Sequence, residues 1–418
     1  MTGTMSYFGS YKGLPKSIYI IFFAQIINRF GDFVLPFLSL FLVKKLGLSY
    51  QSAGTAVMLV SLSSIPGSFA GGKAADHFGR RKSYTVFQLS AGVSLFFCAF
   101  LDNPQLIIVL ICMSSFFNGG VRPIISAIIT DVLPAEKRQI GFSLSYLGIN
   151  LGVSLGPLVA GFLFNHYIPL IFIGNAVTCL LVAILVFVNI KETLPEYTDN
   201  EYASDGEKPE EGNVFAVLVR KPKIWVFLVI NVVFNIVYSQ SSFSLPIMLD
   251  IVFGRGGAGN FGIIMSANAV TVVTMTMFVN HATRKWKALN SIAAAGILYA
   301  IGFGMITFIR SMPLFILSTF VWTVGEVMAY TNFGVYIANN TPQNYRARFN
   351  AVSNLSWSVG TSLGTFLISR YAGYLGIEAV WPLTFFLGLL GSAGMYLLKI
   401  KTEKAVAIDV RQNGVSEQ

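Results

Sequence analysis

Apolar runs of about 20 residues recur along the whole chain, with short polar breaks between them. A run of that length crosses the hydrocarbon core of a bilayer as a single α-helix. Charged residues make up only 11% of the chain, whereas soluble domains average about 25%. A closed β-barrel would need alternating segments of about ten residues, and these runs are longer and continuous. The sequence therefore predicts an all-α membrane protein with many spans.

Twelve spanning helices account for the apolar runs. Their predicted cores are residues 18–43, 50–72, 83–101, 105–131, 139–164, 168–190, 224–248, 259–280, 288–308, 313–338, 350–370 and 377–399. The stretch from Lys191 to Lys223 contains eight acidic residues and few apolar ones, which is typical of a linker. We therefore predict an N-terminal six-helix bundle (1–190), a cytoplasmic acidic linker (191–223), a C-terminal six-helix bundle (224–400) and a cytoplasmic tail (401–418).

Basic residues give the orientation of these helices. With the N-terminus inside, 22 Lys and Arg residues fall in cytoplasmic segments and five fall on the opposite side. Because cytoplasmic loops carry the excess of Lys and Arg, this split predicts a multi-pass protein of the cell (inner) membrane with both termini cytoplasmic. It also accounts for the net charge of +10 without a nucleic-acid partner. The three cysteines lie inside apolar runs and suggest neither a disulfide nor a metal site.

The two halves of the chain are related in sequence. A shift of 208 residues places Pro134, Arg138, Gly152 and Gly156 on identical residues of the second half. A shift of 210 places Leu35-Pro36 on Leu245-Pro246. Two related six-helix bundles with a binding site between them near the midplane are the build of many secondary transporters.

One polar loop, Gly72-Lys-Ala-Ala-Asp-His-Phe-Gly-Arg-Arg-Lys82, cannot lie in hydrocarbon and is predicted to be a tight turn at the cytoplasmic surface. It resembles the helix 2–3 loop signature of the major facilitator superfamily. The resemblance covers nearly the whole chain through the six-plus-six layout. It implies two pseudo-symmetric six-helix bundles and a cytoplasmic latch. The residues assigned to the latch are Gly72, Asp76, Gly79, Arg80, Arg81, Asp131 and Arg138.

Within that latch, the resemblance implies that Asp76 faces the positive start of the eleventh helix, near Asn350, where an anion is favoured. Asp131 and Arg138 would join as an ion pair, or else they simply form a solvated helix end. The alternative for the whole loop is a basic turn that serves topology only. The corresponding loop of the second half, Asn280–Lys285, lacks the acid and the glycines.

The fifth helix contains Gly152, Gly156, Pro157 and Gly161, in a pattern that resembles the antiporter motif of the same superfamily. Ala160 replaces one of its glycines. Small residues at four-residue spacing let helices pack closely, and a proline bends the segment. The motif favours export, and ordinary close packing is the alternative.

Charged residues inside the spans are the strongest functional signal, because each costs about 2.5–3.5 kcal/mol at a helix centre. Four stand out: Arg29, Asp32, Arg122 and Glu326. Glu326 has no basic residue nearby in its own helix, which suits a group that gains and loses a proton. We predict Glu326 and Asp32 as proton-coupling residues, with Arg29 and Arg122 as buried charge partners. An Arg in the fourth helix recurs in the drug exporters, although Ser126 stands where their signature has glycine.

Polar and aromatic residues of several helices are predicted to line a substrate cavity, with core packing as the alternative for each. They are Asn28, Asn118, Tyr146, Asn150, Tyr238, Gln240, Asn268, Trp322, Tyr330, Asn332 and Trp357. An apolar and aromatic cavity with few fixed charges suits an amphipathic or hydrophobic substrate.

These features predict a proton-coupled secondary transporter that exports drugs or other amphipathic small molecules by alternating access. Its partners would be the substrate, protons and membrane lipid, with the proton gradient in place of any cofactor and a monomeric state. The alternative is a proton-coupled uptake symporter, because Asn28-Arg29-Phe30 resembles the E-x-x-E-R-F signature of oligopeptide symporters, in which Gln25 and Asn28 replace both acids. A non-transporting receptor is a third possibility. An enzyme is not predicted, since no nucleophile constellation or phosphate-binding loop is present in the sequence.

Overall fold

The computed structural model describes residues 13–194, 222–340 and 346–413, and the regular elements in those ranges are helices. We number them by the membrane span to which they belong and divide two spans into parts a and b. The first half contains α1a (Lys16–Phe30), α1b (Val34–Leu40), α2 (Tyr50–Phe78), α3 (Arg80–Cys98), α4 (Pro104–Val132), α5 (Ala135–His166) and α6 (Ile168–Asn189). The second half contains α7a (Pro222–Tyr238), α7b (Ser244–Phe253), α8 (Gly257–Thr283), α9 (Ala288–Met305), α10 (Met312–Asn340), α11 (Arg346–Leu375) and α12 (Val380–Asn413).

The predicted twelve spans are all present as helices. Nine stretches of the described chain are long and apolar enough to cross a membrane, and one of them, residues 223–283, holds both the seventh and the eighth spans. The third and eleventh spans are helical but more polar. The third begins with Arg80 and two further basic residues, and the eleventh is rich in Ser, Thr and Asn.

Local sequence explains where α2 and α4 begin. The Ser49 hydroxyl caps α2 by accepting the Ser52 amide at 3.2 Å. Asn103 caps α4 by accepting the amides of Gln105 and Leu106, and Pro104 occupies the first helical position. These are standard ways to satisfy the amides that a helix start leaves without partners.

Helix packing repeats between the two halves. In the first half α1a packs on α5, and α3 packs on α4 and α6. In the second half α7a packs on α11, and α9 packs on α10 and α12. The same pairs therefore recur six spans later, which confirms the two pseudo-symmetric bundles predicted from the repeat.

The chain forms two compact units. The first comprises the described part of residues 1–198 together with Ser242–Ala269, and its core is apolar, with Ile18, Phe87 and Ile128 buried at its centre. The second comprises the described parts of residues 199–241 and 270–418, where a smaller cluster forms around Val327 and Met328. The predicted domain limits at residues 190, 223 and 400 remain predictions.

Segment Ser242–Ala269 is held inside the first unit mainly by the first span. The Ser39 hydroxyl lies 3.0 Å from the carbonyl oxygen of Phe243 and 3.1 Å from that of Ser242. Further along, Lys44 forms an ion pair with Asp250. The polar contacts therefore sit at the start and the middle of the segment.

Several predicted boundaries were wrong, and the seventh span, predicted as one helix, is interrupted at Ser239–Ser241. The loop from Gly72 to Lys82 is not an eleven-residue turn, because α2 continues to Phe78 and only Gly79 separates it from α3. The first span is not one helix, since it breaks after Phe30. The last helix, predicted to end at residue 399, continues to Asn413.

Candidate functional site

The first span is interrupted at Gly31–Phe33. The Phe33 amide donates to the Gly31 carbonyl at 2.8 Å, and the Asp32 amide points to the Arg29 carbonyl at 3.4 Å, so both leave the regular helical pattern. A Cβ on residue 31 would lie 1.9 Å from the Thr178 hydroxyl, so only glycine fits against α6 here. Broken helices at membrane depth are typical of transporter binding sites.

Asp32 lies at this break and pairs with Arg29. Arg29 Nη1 donates to Asp32 Oδ2 at 3.3 Å. The two side chains are 31% and 22% exposed, so the pair is neither sealed in the core nor fully solvated. Arg29 and Arg122 were the predicted charge partners, and Arg29, the one closer in sequence, forms the ion pair with Asp32.

The seventh span has a matching break. A 3₁₀ turn, Ser239–Ser241, joins α7a to α7b. Gln240 is fully buried there, and its amide donates to the Ile236 carbonyl at 3.0 Å and to the Ser239 hydroxyl at 2.8 Å. Gln240, predicted to line a cavity, therefore stabilises the break instead of facing open space.

Glu326 lies on α10 next to the end of α7a. The Tyr238 hydroxyl donates to Glu326 Oε1 at 2.8 Å. The Tyr238 ring is also 6.2 Å from the ring of Tyr299, 6.0 Å from that of Trp322 and 5.5 Å from that of Trp357, measured between centroids. A carboxylate is thus placed beside an aromatic cluster within the second unit.

The members of this cluster differ in exposure. Trp322 is fully buried and stacks on Phe303, with centroids 5.3 Å apart and an interplanar angle of 15°. Trp357 is 46% exposed, and Tyr330, which lies four residues after Glu326 on α10 and outside these ring contacts, is 65% exposed. Trp322 is therefore the buried member of the cluster, and Trp357 is its exposed member.

Arg80 makes most of the polar contacts at the junction of α2 and α3, which replaces the predicted basic loop. Its guanidinium donates to Asp131 and to Asp76, each at 3.0 Å, and to the Ala75 carbonyl at 2.7 Å. The Arg80 side chain is 10% exposed and that of Asp131 is 16% exposed, whereas that of Asp76 is 74% exposed. Asp131 thus pairs with Arg80, a partner that the sequence did not predict.

Glu192 completes this loop and was missed from the sequence. Its carboxylate accepts the amide of Arg80 at 2.6 Å and that of Arg81 at 3.3 Å, which caps the start of α3. Gly79 has a φ of 92°, and a Cβ there would lie 2.4 Å from Glu192 Oε2, so the turn requires glycine. Glu192 looked like one of eight solvated linker acids, and nothing in its sequence context distinguished it.

The other predicted latch residues have simpler surroundings. Gly72 faces open space, and the Arg81 guanidinium lies 4.2 Å from the centre of the Phe187 ring. Arg138 Nε donates to the Leu133 carbonyl at 3.3 Å. Asn350, the predicted neighbour of Asp76, lies outside the part of the chain whose side chains are described, so that contact stays a prediction.

Comparison with known proteins identifies the family. A sequence model described as Major Facilitator Superfamily matches residues 21–365. The chain belongs to the major facilitator superfamily. It is therefore a multi-pass membrane transporter and not an enzyme, as the sequence predicted.

Relatives within this superfamily differ in what their names state. A protein of Planococcus maritimus named Na(+), Li(+), K(+)/H(+) antiporter is 21% identical over 372 residues, covering 82% of this chain and 86% of its own. The quinolone resistance protein NorA of Staphylococcus aureus is 29% identical over 164 residues, covering 38% of this chain and 42% of its own. A crystal structure of the peptide transporter POT in complex with sulfate has a TM-score of 0.78 and 18% identity, covering 94% of this chain and 96% of that one, and shows the shared fold.

The helix-5 motif of this facilitator packs the fifth span on the first. A Cβ on Gly152 would lie 2.6 Å from the Ile26 carbonyl oxygen, and one on Gly156 would lie 2.6 Å from that of Phe30. The motif therefore presses against the last turn of α1a, directly before the break. Further along, Pro157 and Gly161 contact Gly262 and Ala258 of α8 within the first unit.

The remaining predicted site residues are less informative. Asn150 and Asn332 each donate their amides to carbonyls four residues earlier in their own helices, at 2.9 Å. Asn28 is half-buried, Tyr146 is exposed and Asn268 is buried. Arg122 is exposed on α4, so its predicted burial was wrong, while its role as a charge partner stays a prediction.

Proposed function

We propose that this facilitator is a proton-coupled exporter of drugs or other amphipathic small molecules that works by alternating access. The observation that carries the proposal is the Glu326 site, where a carboxylate within a span accepts a hydrogen bond from Tyr238, whose ring in turn contacts the exposed ring of Trp357. The name of the quinolone resistance relative is consistent with export, and that of the Planococcus relative with exchange against protons.

The chemistry of this site favours cationic amphipaths. A carboxylate attracts a positively charged head group, and the faces of Trp and Tyr rings attract the same group by cation–π interaction. The apolar edges of Trp357 and Tyr330 suit the hydrophobic body of such a molecule. A proton and a cationic substrate would compete for one negative charge, and that competition is what an antiporter needs.

Coupling would operate through a shift between two conformations. Protonation of Glu326, with Asp32 as a second candidate, would favour one state, and bound substrate would favour the other. The energy would come from the proton gradient, without a cofactor. We place the protein in the cell membrane as a monomer, with both termini and the Arg80 loop in the cytoplasm.

Proton release on substrate binding tests this proposal directly. Purified protein in weakly buffered detergent receives tetraphenylphosphonium, a permanently charged aromatic cation, while a pH dye reports released protons. We expect release from the unchanged protein and none from Glu326→Gln. Glu378→Gln is the matched control, because Glu378 pairs with Arg310 in an exposed position away from the aromatic cluster. Equal proton release from Glu326→Gln and the unchanged protein would remove Glu326 from the proton path.

The direction of transport needs a second measurement. In liposomes with an imposed proton gradient, an exporter moves substrate against the proton flow, whereas the alternative, an uptake symporter for peptide-like or other solutes, moves it along the flow. Substrate that follows the protons would replace export by uptake.

A second candidate function is the exchange of inorganic monovalent cations for protons. The printed name of the Planococcus relative favours it, and that protein covers most of both chains. A sodium gradient imposed on liposomes in the absence of any organic substrate should then move protons. A pH dye trapped inside the liposomes that shows no response to that gradient would exclude this candidate.

A further inference from the structure

A small polar cavity lies beside the break in the first span. Its polar lining consists of Asp32, Ser114, Ser115, Asn118 and Asn175, contributed by the first, fourth and sixth spans, and the rest of the lining is aliphatic. The cavity has a volume of about 20 Å³, which is enough for one water molecule or one small ion. All of these residues belong to the first unit.

All five polar lining residues carry side-chain oxygen atoms. The Ser115 hydroxyl donates to the Val60 carbonyl at 2.6 Å, and the Asn118 amide nitrogen donates to the Ser114 hydroxyl at 3.3 Å. The Asn175 amide nitrogen is directed at Cys179 Sγ at 3.9 Å. Each of these side chains also carries an oxygen atom with lone pairs that can coordinate a cation.

Asp32 supplies the negative charge of the cavity and is the one carboxylate among the described lining residues. A set of one carboxylate, amide oxygens and hydroxyl oxygens matches hard cations, which prefer oxygen ligands. One negative charge matches a monovalent ion better than a divalent one. The break beside Asp32 adds backbone groups that leave the helical pattern, and in transporters such groups coordinate Na⁺.

Arg29 already occupies one side of this carboxylate, at 3.3 Å. Its Nε is buried without a hydrogen-bond partner among the described residues, yet 31% of the side chain is exposed, so the guanidinium has room to move. The other titratable groups near the pair are Tyr84 on α3 and Cys179 on α6. An ion in the cavity, the Arg29 guanidinium and a proton would therefore compete for one carboxylate.

We propose that this cavity binds one small monovalent cation, Na⁺ or Li⁺, on Asp32 in competition with Arg29. Its physiological use rests on the second candidate function, whereas ion binding itself is measured without any transport. K⁺ should bind more weakly, because it is larger than Na⁺ and Li⁺ and the cavity is only large enough for one water molecule or one small ion.

Calorimetric titration of the purified full-length protein with NaCl, LiCl and KCl tests the site, with choline chloride keeping the ionic strength constant. We expect saturable heat from Na⁺ and Li⁺ and weaker binding in acid, where a proton occupies Asp32. Asp32→Asn should weaken Na⁺ binding by at least about tenfold, since it removes the charge of the site. Asp102→Asn, in an exposed loop, is the matched control.

Two further variants keep the test decisive if Asp32→Asn does not fold. Ser114→Ala should weaken Na⁺ binding, and Arg29→Gln should strengthen it, because a competitor is removed. A merely structural role for Arg29 would not produce tighter binding. The proposal would be overturned if the unchanged protein gave no Na⁺-specific heat. It would also be overturned if Asp32→Asn and Ser114→Ala both bound Na⁺ with the affinity of the unchanged protein. Glu326→Gln should retain Na⁺ binding, so failure of the export proposal and failure of this site remain distinguishable.

Discussion

Asp32 and Glu326 are both carboxylates beside a broken helix, yet their surroundings differ. Asp32 faces a guanidinium from its own span at 3.3 Å, whereas Glu326 accepts a neutral phenol from another span at 2.8 Å. A guanidinium stabilises an ionised carboxylate through its charge, while a phenol stabilises it through a hydrogen bond. The two halves therefore place similar acids in different chemical settings.

The internal repeat shows which residues occupy the equivalent positions in the other half. A shift of 208 residues places Glu326 on Asn118, and a shift of 210 places Asp32 on Ser242. The first half thus carries its acid on the broken helix and an amide on the fourth span, while the second half has a serine at the break and its acid on the tenth span. The shared fold repeats the breaks, but the chemistry at them is not repeated.

Replacement of Arg29 should reveal the charge pairing of the first site. In Arg29→Met we expect a loss of about 1.5–3 kcal/mol in the free energy of unfolding, because a charged hydrogen bond is removed and a carboxylate stays partly buried. The double variant Arg29→Met, Asp32→Asn should recover much of this loss, as measured by thermal unfolding in detergent. If the double variant is as unstable as the single one, packing of the Arg29 side chain and not its charge stabilises the break.

Alanine at Gly156 and at its repeat partner Gly364 should show that both broken spans are packed equally tightly. The added Cβ would lie 2.6 Å from the Phe30 carbonyl oxygen in one case and 2.5 Å from the Ser239 hydroxyl in the other. Each should cost about 1–3 kcal/mol, the usual range for overpacking. Gly334→Ala on α10 is the control, because its Cβ would meet open space and should be neutral or slightly stabilising. Similar results for all three would show that these glycines are not required by close packing.

Glu192 should contribute to the stability of the first half by capping α3. Its carboxylate caps the start of α3, whereas Lys287, the residue before the corresponding helix α9, provides no side-chain cap within the described chain. We expect Glu192→Ala to cost about 1 kcal/mol of stability, the usual value of an N-cap. Lys191→Ala, the exposed neighbour, should cost less in the same melting experiment. Equal losses from the two variants would mean that the cap contributes nothing.

Tyr238→Phe should change stability only modestly and still affect ligand binding. Loss of one hydrogen bond to Glu326 is expected to cost about 0.5–1.5 kcal/mol, while the aromatic ring is kept. Affinity for tetraphenylphosphonium, measured by fluorescence competition, should change in Tyr238→Phe and not in Tyr396→Phe, an exposed tyrosine on α12. Unchanged affinity in Tyr238→Phe would separate this hydroxyl from the binding site.

Much of the fold was predictable because membrane constraints act on every residue of a span. The lengths of the apolar runs gave twelve helices, and the repeat between Gly156 and Gly364 gave the matching helix pairs. The breaks at Gly31–Phe33 and Ser239–Ser241 were missed, because a few polar residues lower the mean hydropathy of a long apolar run too little to mark a break. Gly31 and Pro36 were the available signals, but glycine and proline are also common in continuous membrane helices.

The candidate site was only partly predictable, for a related reason. The sequence singled out Arg29, Asp32 and Glu326 because a charge inside a span is costly and rarely incidental. It did not separate the exposed Trp357 from the buried Trp322 and Gln240, since all three are equally compatible with a cavity wall or a packed core. Exposure depends on which side of a helix meets a neighbour.

The sequence by itself determined the helical membrane fold, the internal repeat and the presence of acids within the spans, since hydrophobicity and charge are properties of each residue alone. Only the tertiary structure decided that Arg29 forms an ion pair with Asp32, that Tyr238 donates to Glu326 and that Glu192 caps α3. The last two contacts join residues 88 and 112 positions apart in the chain. The physical reason is that hydrogen bonds and ion pairs act over a few ångströms, and the packing of whole helices sets which groups come that close.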